Sequence, residues 1–194
     1  MSVLASSALA DTLGTFGIER IQLPDLRRAK QTETVQRFKV HLLTGAGEDL
    51  STKVEFSRRA LDAPVRAEAL SSQVLGPYRM APLIVPHYTA PAAIRQKIRA
   101  LAGRPQPQAR DVFDLYILSS RPEAAEADPA WDLPQARLLE ARERIFAIRF
   151  GQYRDTVVGF LAPEDRAAHD SESVWDEIRL RALSLLEKGS RDGR

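Results

Sequence analysis

The chain contains no cysteine, which excludes disulfides and thiolate-held metals and fits a reducing, cytoplasmic compartment. Histidine is nearly as scarce. His41, His87 and His169 lie far apart and show no metal-ligand spacing, so they read as scattered surface or capping imidazoles. No run approaches the roughly 18 consecutive apolar residues that a membrane span needs. The mildly apolar stretch from Met1 to Ala10 lacks the basic segment that opens a signal peptide. Internal repeats and coiled-coil heptads are also missing. Lysine is rare in the middle of the chain: Lys97 is the only one between Lys53 and Lys188, and the other cations there are arginines.

What is present describes a soluble globular protein. A length of 194 residues suits one domain, or a small domain with an appended helical lobe. Hydrophobic residues make up 44% and charged residues 28%, enough of each for a real core under a solvated surface. The net charge of +2 is unevenly spread. Basic residues outnumber acidic ones over 16–118, and the balance reverses over 119–194. That asymmetry suits an anionic ligand near the middle of the chain, or simply a surface with uneven charge.

The pattern changes character near Tyr88. Before it, Leu4 to Leu13 spaces apolar residues helically and stops at Gly14 and Gly17. Thr34 to Leu43 alternates apolar and polar residues, Gly45 to Asp49 forms a turn, and Leu50 to Ser57 alternates again, which predicts a β-hairpin. Lys53, Glu55 and Ser57 then share one face, opposite Val54 and Phe56. Either a central strand turns that polar face toward a cleft, or the face meets solvent. Pro64 to Pro91 reads as irregular, with short strand candidates at 70–75 and 83–85. From Thr89 onward the chain reads as helical: 91–102, 110–119, 134–150, 152–161 and 171–188, the last capped by Ser171. Pro122 to Pro134 is an Ala/Pro-rich acidic connector, and the tail after Lys188 reads as frayed. The fold class expected is α+β: a partial mixed sheet with its hairpin at about 34–57, then a helical lobe, divided as 1–88 and 89–194.

Two stretches in that lobe carry the chemistry: Lys97-Ile-Arg-Ala-Leu-Ala-Gly-Arg104 and Arg110-Asp111-Val-Phe-Asp114-Leu115. Lys97 shares a helix face with Ile94 and Leu101, while Arg99 and Arg104 are expected to point elsewhere. Asp111 and Asp114, three apart, lie on one face of the next helix, with Asp111 in its first turn, where the helix dipole favours a carboxylate. The short Pro-Gln-Pro-Gln link returns the second helix against the first, so Lys97 and Asp111 can meet. A compact ammonium beside an Asp-x-x-Asp pair suits a phosphate group, but the same residues also suit an ion pair that joins two helices.

The stretch from Ile94 to Leu118 resembles the AbiEii family of nucleotidyltransferase-like toxins from toxin–antitoxin and phage-defence systems. The likeness rests on the lysine helix from Ala93 to Leu101 with Arg104 following, then on Arg110 to Leu115. It extends to the hairpin ending Lys53-Val-Glu55-Phe-Ser-Arg58, and covers roughly 34–118. The resemblance implies a DNA polymerase β-type nucleotidyltransferase fold that transfers a nucleotide from an NTP, with Mg2+, to tRNA or another acceptor. Lys97 would contact the triphosphate, and Asp111 or Asp114 would orient Lys97 or act as base toward the acceptor hydroxyl. Glu55 is the candidate metal ligand. Lys53, Arg58, Arg59 and Arg104 are candidates for nucleotide or RNA phosphates, and a cognate antitoxin is the candidate partner.

One departure matters. Members of this fold carry an early Gly-Ser pair followed by Asp-x-Asp or Asp-x-Glu that holds the catalytic metal. Here the only Gly-Ser is Gly189-Ser190, and Asp170-Ser-Glu172 sits at a helix start with no preceding strand. The chain begins about where the family's metal-binding strands end. Because nucleotidyl transfer depends on metal ions that neutralise developing charge, slow turnover or none is expected from this chain alone. A late start, a natural remnant needing another polypeptide, and a non-catalytic binding protein that engages an antitoxin or nucleic acid all fit that departure.

Overall fold

A computed structural model describes residues 7–23, 32–57, 63–126 and 133–188. The chain divides into two compact units, Met1–Asp62 and Ala63–Arg194. The division falls ahead of the change of pattern at Tyr88, because a second small hairpin belongs with the helices.

The first unit opens with helix α1 (Ser7–Gly14), followed by strands β1 (Ile18–Gln22), β2 (Val35–Thr44) and β3 (Asp49–Ser57). They form an antiparallel sheet in the order β1-β2-β3. Gly17, at φ +77°, supplies the left-handed turn from α1 into β1, a conformation that a side chain would strain. The β2–β3 register pairs Val35 with Ser57 and Leu43 with Asp49 without interruption, and Gly47 (φ +83°) closes the loop. Alternation sends Phe38 and Val40 to the buried side, joined by Ile18 from β1, while Arg37, Lys39, Lys53 and Glu55 stay exposed. β3 is therefore an edge strand of the described sheet with its polar face toward solvent, rather than a central strand facing a cleft.

The second unit begins with β4 (Val65–Ala69), a short helix α2 (Ser72–Leu75), a 3-10 turn over Gly76–Tyr78 and β5 (Ile84–Tyr88). β4 and β5 pair antiparallel, with Ala67 opposite Pro86. A proline is tolerated there because a two-stranded ribbon leaves one edge of each strand unpaired. The strand expected at 70–75 is instead α2. Ser71 Oγ accepts the amide of Gln73 at 3.2 Å, and that local bond favours a helical turn over a ladder.

Helices α3 (Ala90–Gly103), α4 (Ala109–Ser119), α5 (Pro122–Glu126), α6 (Gln135–Ala147), α7 (Phe150–Thr156), α8 (Pro163–His169) and α9 (Glu172–Lys188) complete the unit. Their core is one continuous cluster: Ile94, Ile98 and Leu101 of α3 meet Val112 and Leu115 of α4, Ile145 of α6, and Trp175 and Ile178 of α9. Each such side chain contributes roughly 1.5–3 kcal/mol on burial, whereas an exposed ion pair contributes about 0–1, so the apolar cluster holds the helices together. The helix expected over 152–161 stops at Thr156 because Val157 leaves helical geometry (φ −126°, ψ −64°), and a 3-10 turn over Val158–Phe160 follows. α8 is a separate helix, with Pro163 in its first turn and Glu164 and Asp165 favouring its N-terminus.

Tyr153 on α7 is fully buried, and among the described residues no group lies within hydrogen-bond reach of its hydroxyl. Burial, with Tyr116 and Asp170 nearby, pushes the phenol up from 10.0 to about 12. A folded-state pKa raised above the unfolded value means that the stability is intact below pH 10 and is lost as pH rises toward 12, by about 2–3 kcal/mol in all. Tyr153→Phe should match the parent at neutral pH, or exceed it by up to about 1 kcal/mol. It should also flatten the alkaline loss, as urea titrations at neutral and high pH would read. Equal alkaline losses in both proteins would remove Tyr153 as the cause.

Candidate functional site

The site is built where α3 hands over to α4. α3 starts after Thr89, with Pro91 in its first turn, and buries the stripe Ala92, Ile94, Ile98, Leu101 and Ala102. Lys97 extends from beside that stripe and keeps 26% of its side chain exposed. Its stem is thus largely packed while its ammonium reaches outward.

The helix ends because of Pro105. A residue before proline is pushed out of the α region, and Arg104 adopts φ −80°, ψ 142°. That turn carries its guanidinium back to Asp111, with which it forms a close ion pair. Arg104 therefore joins Lys97 at one carboxylate instead of pointing away. α6 braces the same corner: Arg144 donates to the Arg104 carbonyl, Arg137 donates to the Ala102 carbonyl at 3.5 Å, and Arg144 is held by Glu140 at 2.7 Å. Two orphan carbonyls at the end of α3 are satisfied in this way.

Asp111 lies in the first turn of α4 and is 0% exposed, the one charged residue among the described residues buried in this way. Both its oxygens are engaged: Oδ1 accepts from Lys97 Nζ at 3.1 Å and Oδ2 takes Arg104. Asp114, one helical turn on and 42% exposed, holds the same Lys97 ammonium at 2.5 Å. Two anions and two cations thus form one balanced cluster, the ion-pair arrangement that the sequence left as one of two alternatives. Asp111, saturated and buried, can orient Lys97. Asp114 alone of the two aspartates is open to a proton or a ligand.

The other candidate residues lie elsewhere. Glu55 and Lys53 are on β3 of the first unit, where Glu55 pairs with Arg37 at 2.5 Å. Arg58 and Arg59 fall outside the described residues. Among the described residues, no group of three or more histidines, aspartates and glutamates is placed to hold a metal ion. The donor set agrees with that: Asp111 has no free oxygen, and Asp114 and Glu55 each sit against a cation. The described residues do not fit a divalent-ion site.

A separate cleft of about 190 Å3 lies at the N-terminal end of α3, between the β4–β5 hairpin and the α4–α5 corner. Most of its charges are already paired. Arg66 holds Glu68 at 3.1 Å and Glu123 at 3.4 Å, and His87 lies 3.3 Å from Glu68. The hydrogen bond from Arg66 keeps the Glu68 carboxyl below its ordinary value. Sequence reasoning missed this cleft because β4 is too weakly apolar to announce a strand.

Among curated proteins, none matches the chain. Two solved structures are similar to it, both from Helicobacter pylori. One, a candidate nucleotidyltransferase, is 20% identical over 91% of this chain and 69% of its own, with a TM-score of 0.49. The other, JHP933, is 18% identical over 90% of this chain and 65% of its own, with a TM-score of 0.47. No helix among the described residues is long and apolar enough to cross a membrane. The sequence matches the family described as nucleotidyl transferase AbiEii toxin, type IV TA system, over residues 5–188. That family carries with it the use of an NTP and a divalent metal, and an antitoxin counterpart. With nearly its whole length matched, the chain belongs to the AbiEii family of nucleotidyltransferase toxins of type IV toxin–antitoxin systems.

Proposed function

We propose that this cytoplasmic toxin transfers a nucleotide from an NTP to an RNA acceptor such as tRNA, in a phage-defence setting, with Mg2+ as the divalent ion. The observation that carries this reading is Lys97, held between a buried and an exposed carboxylate at the α3–α4 junction. An anionic triphosphate that draws the ammonium away from Asp114 keeps Lys97 aligned through Asp111 and frees the Asp114 carboxylate. Asp114 then accepts the proton of the acceptor hydroxyl as its oxygen attacks phosphorus and pyrophosphate leaves. Arg104 stays with Asp111 and adds positive potential at the same corner.

A second reading has its own support. The charges of the Lys97 cluster cancel, and the described carboxylates do not group for a metal, both of which suit a non-catalytic protein that engages its antitoxin or a nucleic acid. Incubation with each labelled NTP, a divalent cation and total tRNA separates the two. On the first reading slow transfer is seen, and Lys97→Ala lowers it by about 10²–10³-fold. Asp114→Asn should lose transfer at unchanged melting temperature, while Asp111→Asn should lower the melting temperature. Label transfer by Lys97→Ala at the parent rate would overturn the role of Lys97, and no transfer with any NTP would favour the binding reading.

A further inference from the structure

We propose that the exposed face of the β1–β2–β3 sheet, centred on Lys39 and Lys53, binds the phosphodiester backbone of a nucleic acid. The register places Lys39 directly opposite Lys53. Paired residues of an antiparallel ladder share a face with Cβ atoms about 4.5–5.5 Å apart, and like charges in that position destabilise the pair. Both lysines are exposed, and among the described residues neither has a carboxylate partner. The acidic groups beside them are already engaged: Glu55 holds Arg37 at 2.5 Å, and Asp49 holds His41 at 2.9 Å. Arg20, opposite Leu43 on β1, adds a further exposed cation to the same face. The apolar residues Phe38 and Val40 point to the other side. The sheet thus maintains an unfavourable pair of ammonium groups that an anion would relieve.

The form of the row selects the ligand. Arg37 and Lys39 repeat every second residue along β2, about 6.7 Å apart, and Lys53 extends the row laterally onto β3. Such an open, cationic row suits a linear polyanion, whereas a free mononucleotide needs a concave site. Among the described residues no phenylalanine, tyrosine or tryptophan lies on this face, so binding should rest on charge, be sequence-tolerant and be strongly salt-dependent.

The test uses the whole chain and a labelled mixed-sequence single-stranded RNA, with no NTP present, so failure of nucleotide transfer leaves the result intact. Fluorescence anisotropy over a salt series gives affinity and slope. Lys39→Gln with Lys53→Gln should flatten the plot of log affinity against log salt by about 1.4, at roughly 0.7 per lost phosphate contact. Lys39→Glu sets opposite charges across the ladder, so it should raise the melting temperature while lowering RNA affinity about tenfold or more. Those opposite signs separate lost binding from lost folding. Unchanged affinity and slope in both variants, no RNA binding by the parent chain, or tighter binding of polyglutamate than of RNA would each overturn the proposal.

Discussion

Trp175→Ala should cost about 3–5 kcal/mol, which in a chain of this size lowers the melting temperature by about 6–20 °C. Trp175 on α9 is buried and stacks on Tyr153 of α7 with ring centroids 4.4 Å apart and planes 14° from parallel. Its indole N–H donates to the Ile148 carbonyl at 3.3 Å, just past the end of α6. One side chain thus ties three helices through dispersion, ring stacking and a hydrogen bond. Truncation opens a cavity against Tyr153, whose neighbours Phe113 and Phe150 are themselves rings and cannot readily collapse into it. Trp175→Phe should recover most of the loss, leaving about 1–2 kcal/mol for the unpaired carbonyl and the smaller ring. Urea denaturation decides the matter. A loss under about 1 kcal/mol for Trp175→Ala would mean that α9 is held chiefly elsewhere.

Lys97→Ala combined with Arg104→Ala should destabilise the chain by about 3–5 kcal/mol, more than the two single losses together. Each single variant leaves Asp111 with one cation, and its other oxygen can be served by water near the exposed Asp114. The double variant strands a carboxylate that has no exposure at all. A buried unpaired charge costs far more than a lost surface pair. Adding Asp111→Leu to the double variant should restore most of the stability, since an apolar cluster of similar volume replaces the whole ion pair. A thermodynamic cycle over the four proteins measures the coupling. Simple additivity with a total below about 1.5 kcal/mol would show that Asp111 is reached by water and does not depend on these cations.

The sequence made much of the site readable. Lys97, Asp111 and Asp114 meet as helical spacing and a short proline-bearing link require, because two antiparallel helices joined by so few residues have little freedom. The hairpin of β2 and β3 was equally plain, as alternating residues on either side of a glycine-bearing turn have one simple solution. Arg104 was misplaced for a reason that was also written in the chain. The expectation that it points away does not hold, because Pro105 takes it out of helical geometry and turns it onto Asp111. β4 escaped notice because Val-Arg-Ala-Glu-Ala is too weakly apolar to stand out, and it exists as a strand only because β5 pairs with it.

The sequence by itself determined the α+β class, the family, the run of helices after Thr89 and the residues that could form an anion site, since periodicity, caps and motif spacing are local or pairwise properties. Only the tertiary structure decided which charges cancel. Burial closes Asp111 under two cations and leaves Asp114 open, and strand register sets Lys39 against Lys53 on an exposed face. Both outcomes depend on distances between residues remote in the chain and on exclusion of water, and no local pattern of residues encodes either.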